Sequence, residues 1–186
     1  YDHREGLSKL LRFESSLTDP GVLTGFADYL TRAKDGQDKI YYLTGTDRAA
    51  VEAGPYLEAL RSRGLEVIYF LENIDEYLLQ HLREFDGKEL VSAASADLEL
   101  DADDSIVLEG EPLAESELEA LCEYLKSELG EQVEKVAPGS RLVSSPAAVL
   151  AADDGMSAQM RNMMRAMNPE GELPPQKVQL ELNPRH

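Results

Sequence analysis

The chain has 186 residues, 42% of them apolar, and a net charge of −18 from 36 acidic against 18 basic residues. That length and apolar content suit one large or two small globular domains with a real core, while the acidity and the lack of a basic stripe argue against a nucleic-acid partner. No apolar run approaches the roughly 20 residues of a bilayer span, Tyr1 to Glu5 have no signal-peptide character, and the lone Cys122 excludes an internal disulfide, which fits a reducing compartment. The missing initiator methionine suggests a fragment.

In chain order, helices are predicted around Glu5 to Phe13 and Thr24 to Lys34. An alternating pattern follows: Ile40-Tyr41-Tyr42-Leu43 as a strand, Asp47 to Arg63 as a helix, and Leu65 to Leu71 as a buried strand. Ile74 to Phe85 carries helical spacing through Ile74, Tyr77, Leu78, His81, Leu82 and Phe85, and after an Asp86-Gly87 turn Leu90-Val91 sits in a short third strand. A β-α-β-α-β order implies a mostly parallel sheet with right-handed crossovers. Residues Ser95 to Glu117 turn acidic and lose periodicity, so the domain boundary falls there, at 110/111. Beyond it come a helix from Glu115 to Leu129, a hairpin of strands within Val133 to Val143 and Ala147 to Ala151, a methionine-rich helix, and a final strand from Lys177 to Leu182. Apolar and polar residues alternate in that last segment, which predicts one face on a core and one in water. The fold class is therefore an α/β layer with flanking helices followed by a smaller α+β domain.

All five methionines fall within twelve residues, Met156, Met160, Met163, Met164 and Met167, and on a helix between Gly155 and Pro169 they share one face while Arg161, Asn162 and Arg165 point away. Methionine is unbranched and polarizable, so such a cluster suits a surface that accepts many apolar shapes. A core-facing stripe is the commoner use of this spacing and on the pattern alone outweighs a binding surface. Cys122, aligned with Leu118, Leu121 and Leu125 on a helical face, reads as core rather than as a reactive thiol.

Signals of catalysis are missing. Neither GxGxxG nor GxxxxGK[ST] occurs; Thr44-Gly45-Thr46-Asp47, between a strand and a helix, is the nearest anion cradle, but Asp47 would repel an anion and reads as a helix N-cap. The acidic run Asp101-Ala102-Asp103-Asp104 lacks the glycine turn and terminal glutamate of a calcium loop. His3, His81 and His186 are scattered, without HExxH, so no zinc site is expected. No GxSxG occurs. Asp75 and Glu76 read as a charge pair at a helix amino terminus. The competing class is a small-molecule or nucleotide-binding enzyme with its ligand at the strand ends near Thr44 to Asp47.

Several segments, in order, carry a family likeness: Leu10-Leu11-Arg12-Phe13-Glu14-Ser15, Lys39 to Gly45, Leu65-Glu66-Val67-Ile68-Tyr69, Ile74-Asp75-Glu76-Tyr77, Gln80, Glu84 to Lys88, Leu90-Val91-Ser92, and Leu180-Glu181-Leu182-Asn183-Pro184. Together they resemble the ninety-kilodalton heat-shock chaperones, the bacterial HtpG type included. The likeness runs nearly end to end and is weakest across Asp97 to Glu119.

The resemblance implies that residues 1–110 are the distal α/β part of the chaperone middle domain and residues 111–186 a C-terminal domain lacking its final dimerisation helices. It implies a cytoplasmic, ATP-dependent chaperone whose ATP and magnesium bind in another domain, so this piece holds no cofactor, hydrolyses nothing, and dimerises weakly or not at all. The partners it implies are unfolded or partly folded client proteins and cochaperones, with no nucleic acid or membrane. Client contact is implied at the helix of Met156, Met160, Met163, Met164 and Met167, and at a middle-domain patch of Glu76, Tyr77 and Gln80. Some bacterial members carry Trp and Asn where this chain has Tyr77 and Gln80, which changes the apolar area and hydrogen bonding of that patch. With the resemblance in view, client contact outweighs core for Met156, Met160 and Met163. Arg185 stands where an acidic residue is common in the family, and the sequence offers no reason for it.

Overall fold

The computed structural model describes residues 4–95, 98, 110–139, 141–151 and 178–186. After helix α1 (Arg4–Ser8) come β1 (Glu14–Ser15), α2 (Phe26–Arg32), β2 (Lys39–Thr44), α3 (Arg48–Ala53), a 3-10 turn (Pro55–Leu57), α4 (Glu58–Ser62), β3 (Val67–Phe70), α5 (Asp75–His81), β4 (Glu84–Phe85) and β5 (Lys88–Ser92). Their strands form one five-stranded sheet in the order β1-β3-β2-β5-β4. The central pairs β3–β2 and β2–β5 are parallel, with Tyr42 opposite Ile68 and Ile40 opposite Leu90, and both edge strands run antiparallel.

Alternation along the strands divides the core into two. Ile40, Ile68, Phe70 and Leu90 meet Phe13, Phe26, Tyr29, Leu82 and Phe85 on one face. Tyr41, Leu43, Val67 and Tyr69 meet Val51, Leu57, Leu60, Ala93 and Leu98 on the other. A sheet covered on both faces accounts for the fully buried run Val67–Phe70. The Tyr29 hydroxyl ties α2 to the sheet, donating to the Glu66 carbonyl at 3.0 Å and accepting from the Tyr41 amide at 3.1 Å. Burial pushes that phenol up to about 12, which keeps it protonated as the donor.

The second unit contains α6 (Glu115–Leu129), β6 (Lys135–Pro138), β7 (Ala147–Ala151) and β8 (Val178–Leu182), with its strands ordered β6-β8-β7. The mixed α/β layer followed by a smaller α+β unit is the expected fold class.

Several local expectations are corrected. The first helix stops at Ser8, and Phe13 bridges to Thr24 instead. The helix read from Asp47 to Arg63 is broken at Gly54-Pro55, where proline opens the 3-10 turn and supplies no amide to continue α3. Glu84–Phe85 leaves the helical pattern to pair with β5 across a turn in which Asp86 (φ 50°) and Gly87 (φ 74°) are both left-handed. No hairpin joins β6 to β7, because β8 lies between them, parallel to β6 and antiparallel to β7. Glu181, expected in water, is buried, since Arg141 meets its carboxylate at 2.6 Å. The core reading of Cys122 also falls: α6 buries none of its residues, Cys122 is half-buried and Leu121 is exposed.

Candidate functional site

Helix α5 separates two kinds of surface. Leu78 and Leu79 pack on the core beneath and Leu82 is buried beside them, whereas Ile74 is 69% and Tyr77 62% exposed. The Tyr77 ring lies 5.1 Å from that of His81, tilted by 34°, and His81 Nδ1 sits 3.0 Å from the Tyr77 carbonyl oxygen. Gln80 is exposed on the same helix, and Glu76 belongs to α5 as well. The Asp75 carboxylate accepts from the Glu72 amide at 2.9 Å, closing the turn that leads into the helix. Withdrawing a side chain the size of Ile74 from water is worth about 1.5–3 kcal/mol. A fold that leaves two such groups outside keeps that free energy available to a partner.

The helical spacing places Ile74, Tyr77, Leu78, His81, Leu82 and Phe85 in one set; the structure divides it, with Ile74 and Tyr77 on the solvent side. The signal was present, since Ile74, Tyr77 and His81 follow one helical row and Leu78 and Leu82 the next. Met156, Met160, Met163, Met164 and Met167 lie outside the described residues, as does the acidic run Asp101 to Asp104.

At Thr44 to Asp47 the carboxylate of Asp47 accepts from the Ala50 amide at 2.9 Å, so the start of α3 is capped by its own chain. Gly45 donates to the Phe70 carbonyl at 3.1 Å, and a Cβ there would meet Val51 Cγ2 at 2.4 Å, so glycine serves close packing of α3 on the strand. Among the described residues no three His, Cys, Asp or Glu side chains gather as a metal set, and no helix is long and apolar enough to cross a membrane. The Cys122 thiol is pushed up by burial and by the nearby Glu119 charge, the opposite of an activated thiolate.

A second constellation, which no local pattern announces, joins the two units. The Glu58 carboxylate accepts from the amides of Val143 at 2.8 Å, Ser144 at 2.9 Å and Ser145 at 3.1 Å, and from the Ser144 hydroxyl at 3.2 Å and the Ser145 hydroxyl. Burial alone would raise its pKa, but these bonds, led by the Ser145 hydroxyl, outweigh it and hold Glu58 down at about 2. Nearby, the Tyr56 hydroxyl donates to the Val149 carbonyl at 2.6 Å, and its ring packs on Leu142, Ala148 and Leu150. Arg185 finds a partner here too: its guanidinium donates to the Gly110 carbonyl at 2.7 Å, tying the chain after β8 to a residue of the acidic stretch.

Comparison with known proteins matches the sequence along its whole length. Residues 1–186 match the family model described as Hsp90 protein. The relatives include the chaperone protein HtpG of Desulfotalea psychrophila, 44% identical over 173 residues covering 91% of this chain and 28% of that protein. The chaperone protein HtpG of Desulfitobacterium hafniense is 42% identical over 186 residues, 100% of this chain and 30% of its own length, and that of Bordetella avium is 42% identical over 187 residues, 99% and 29%. The chain thus spans under a third of the length of these relatives. With the family model matched from first residue to last, and relatives above 40% identity across nearly all of it, the chain belongs to the Hsp90 family.

Proposed function

We propose that this chain is the client-holding stretch of an ATP-driven, cytoplasmic chaperone, which offers adaptable apolar area to unfolded or partly folded proteins and does no chemistry itself. Residues 1–110 are read as the distal α/β part of the middle domain and residues 111–186 as part of the C-terminal domain. ATP and magnesium are assigned to the whole relatives and not to these residues. The observation that carries the reading is the pair of exposed apolar side chains on α5, Ile74 and Tyr77, beside Gln80 on a helix whose other side is packed. The printed name of the relatives, chaperone protein HtpG, supports it. Met156, Met160, Met163, Met164 and Met167 are assigned to client contact as well. Contacts of this kind give area without a rigid pocket, so binding is weak, broad and quickly exchanged.

The test pairs two variants with fluorescence anisotropy of a labelled, permanently unfolded model protein. Ile74→Ser with Tyr77→Ser, and separately Met156→Ser with Met160→Ser and Met163→Ser, each lower affinity while the thermal midpoint stays within a degree or two of the parent, as surface changes do. Unchanged affinity in both variants removes the proposed surface. A collapsed midpoint in the methionine variant reassigns those residues to a core.

A further inference from the structure

We infer that Glu58 is the pin of a joint between the α/β layer and the three-stranded sheet, and that its carboxylate, seated in the loop 143–145, fixes how the two units face each other. The loop is built as a carboxylate receptor. Three successive amides, Val143, Ser144 and Ser145, converge on one group within 3.1 Å, and both serine hydroxyls add donors to the same oxygen, Glu58 Oε1. Convergent backbone amides of this sort make an anion-binding concavity, and charge-assisted bonds are about twice as strong as neutral ones. The receptor is held in shape from behind: the Asn183 side-chain amide donates to the Ser145 carbonyl at 3.0 Å and to the Val143 carbonyl at 3.4 Å, and the Asn183 backbone amide donates to the Pro146 carbonyl at 2.9 Å. The socket therefore belongs to the second unit, where β8 ends, and the pin to the first, at the start of α4.

The pin sits at one corner. Tyr56, two residues before Glu58, supplies the neighbouring tie to Val149 and packs on Leu142, Ala148 and Leu150. Another tie runs from Arg141 to the carbonyls of Ser95 at 2.8 Å and Leu98 at 3.4 Å, on the chain that leaves β5. Removing the Glu58 charge weakens the acceptor of five donors at the first corner and leaves the Tyr56 contact and the tie at the connecting chain, an arrangement that permits pivoting without unfolding. A glutamine is a weaker pin, because it lacks the charge that strengthens these bonds and its amide nitrogen can meet only the serine hydroxyls, which would have to turn and accept. On the proposed function, the angle of this joint sets how α5 faces the second unit. The joint itself is argued from contacts alone and stands whether or not clients bind.

The experiment uses the whole chain with Cys122→Ser and spin labels at Ala27→Cys on α2 and Glu123→Cys on α6, both exposed positions. In Glu58→Gln the distance distribution between labels broadens, and hydrogen exchange at the amides of residues 143–145 accelerates by about tenfold, while amides of β2 and β3 keep their protection. Ser145→Ala, which removes a single donor, broadens the distribution less and serves if Glu58→Gln folds poorly. A distribution as narrow in both variants as in the parent overturns the joint. Equal loss of protection in β2 and β3 overturns it as well, since Glu58 would then support global stability and no pivot.

Discussion

Arg141 and Glu181 form a buried ion pair, Nε to Oε2 at 2.6 Å, between the loop after β6 and the penultimate residue of β8. Glu181 Oε1 also accepts from the Arg141 amide at 3.3 Å, and the guanidinium reaches back to Ser95 and Leu98. Removing one partner of such a pair strands a charge away from water, whereas removing both removes the problem. Arg141→Met is expected to cost about 3–5 kcal/mol in urea unfolding, and Arg141→Met combined with Glu181→Leu to recover most of it. Equal losses in the single and double variants would show that the pair is not the source.

Gly139 owes its identity to the same carboxylate. A Cβ at this position would lie 1.7 Å from Glu181 Oε1 and 2.0 Å from its Cγ, and Arg141 keeps that side chain from swinging aside. Gly139→Ala is expected to destabilise the chain by about 1–3 kcal/mol, the usual cost of overpacking. Gly6, inside α1 with nothing within 4 Å of its would-be Cβ, is the control: Gly6→Ala should leave the thermal midpoint unchanged or slightly raised.

The pH dependence of the Glu58 contact has a definite sign. Its pKa is depressed in the folded chain, from 4.5 to about 2, so the unfolded chain takes up the proton first and folded stability falls as pH drops. The contribution is complete above pH 4.5 and is lost between there and about 2. Compared by chemical denaturation across this range, the parent and Glu58→Gln should differ by a constant amount above the window and converge toward its lower end. A difference that persists undiminished at the acid end would contradict the assignment.

Phe26 is the keystone of the first core. It is 1% exposed, its ring lies 4.7 Å from that of Phe13 and 5.0 Å from that of Phe85, and these three residues come from α2, the segment before β1, and β4. Phe26→Ala is expected to cost about 3–5 kcal/mol and to lower the thermal midpoint by many degrees, in contrast to Tyr77→Ser on the solvent side of α5.

What the sequence disclosed follows from the range of the forces involved. β2, β3, the Asp86-Gly87 turn and α6, whose span Glu115–Leu129 was read without error, rest on periodicity or on residues that a local conformation demands. The misreadings have distant causes. Glu181 looks like a water-facing residue until Arg141 arrives beside it, and β6 and β7 look like neighbours until β8 enters between them. For the candidate site, Glu76, Tyr77 and Gln80 are proposed through family resemblance, and the exposure of Ile74 follows from its helical row. Glu58 gave no sign, because an acidic residue at a helix start is ordinary and its receptor lies 85 positions away.

The placement of β8 carries a consequence for biosynthesis. The strand made last in the second sheet is the one that both β6 and β7 require, the former along Lys135–Pro138 and the latter along Ala147–Ala151. As the polypeptide leaves the ribosome, those two earlier strands must wait with open edges until Leu182 has cleared the exit tunnel, so this half of the molecule can close only after the five-stranded half has had time to settle.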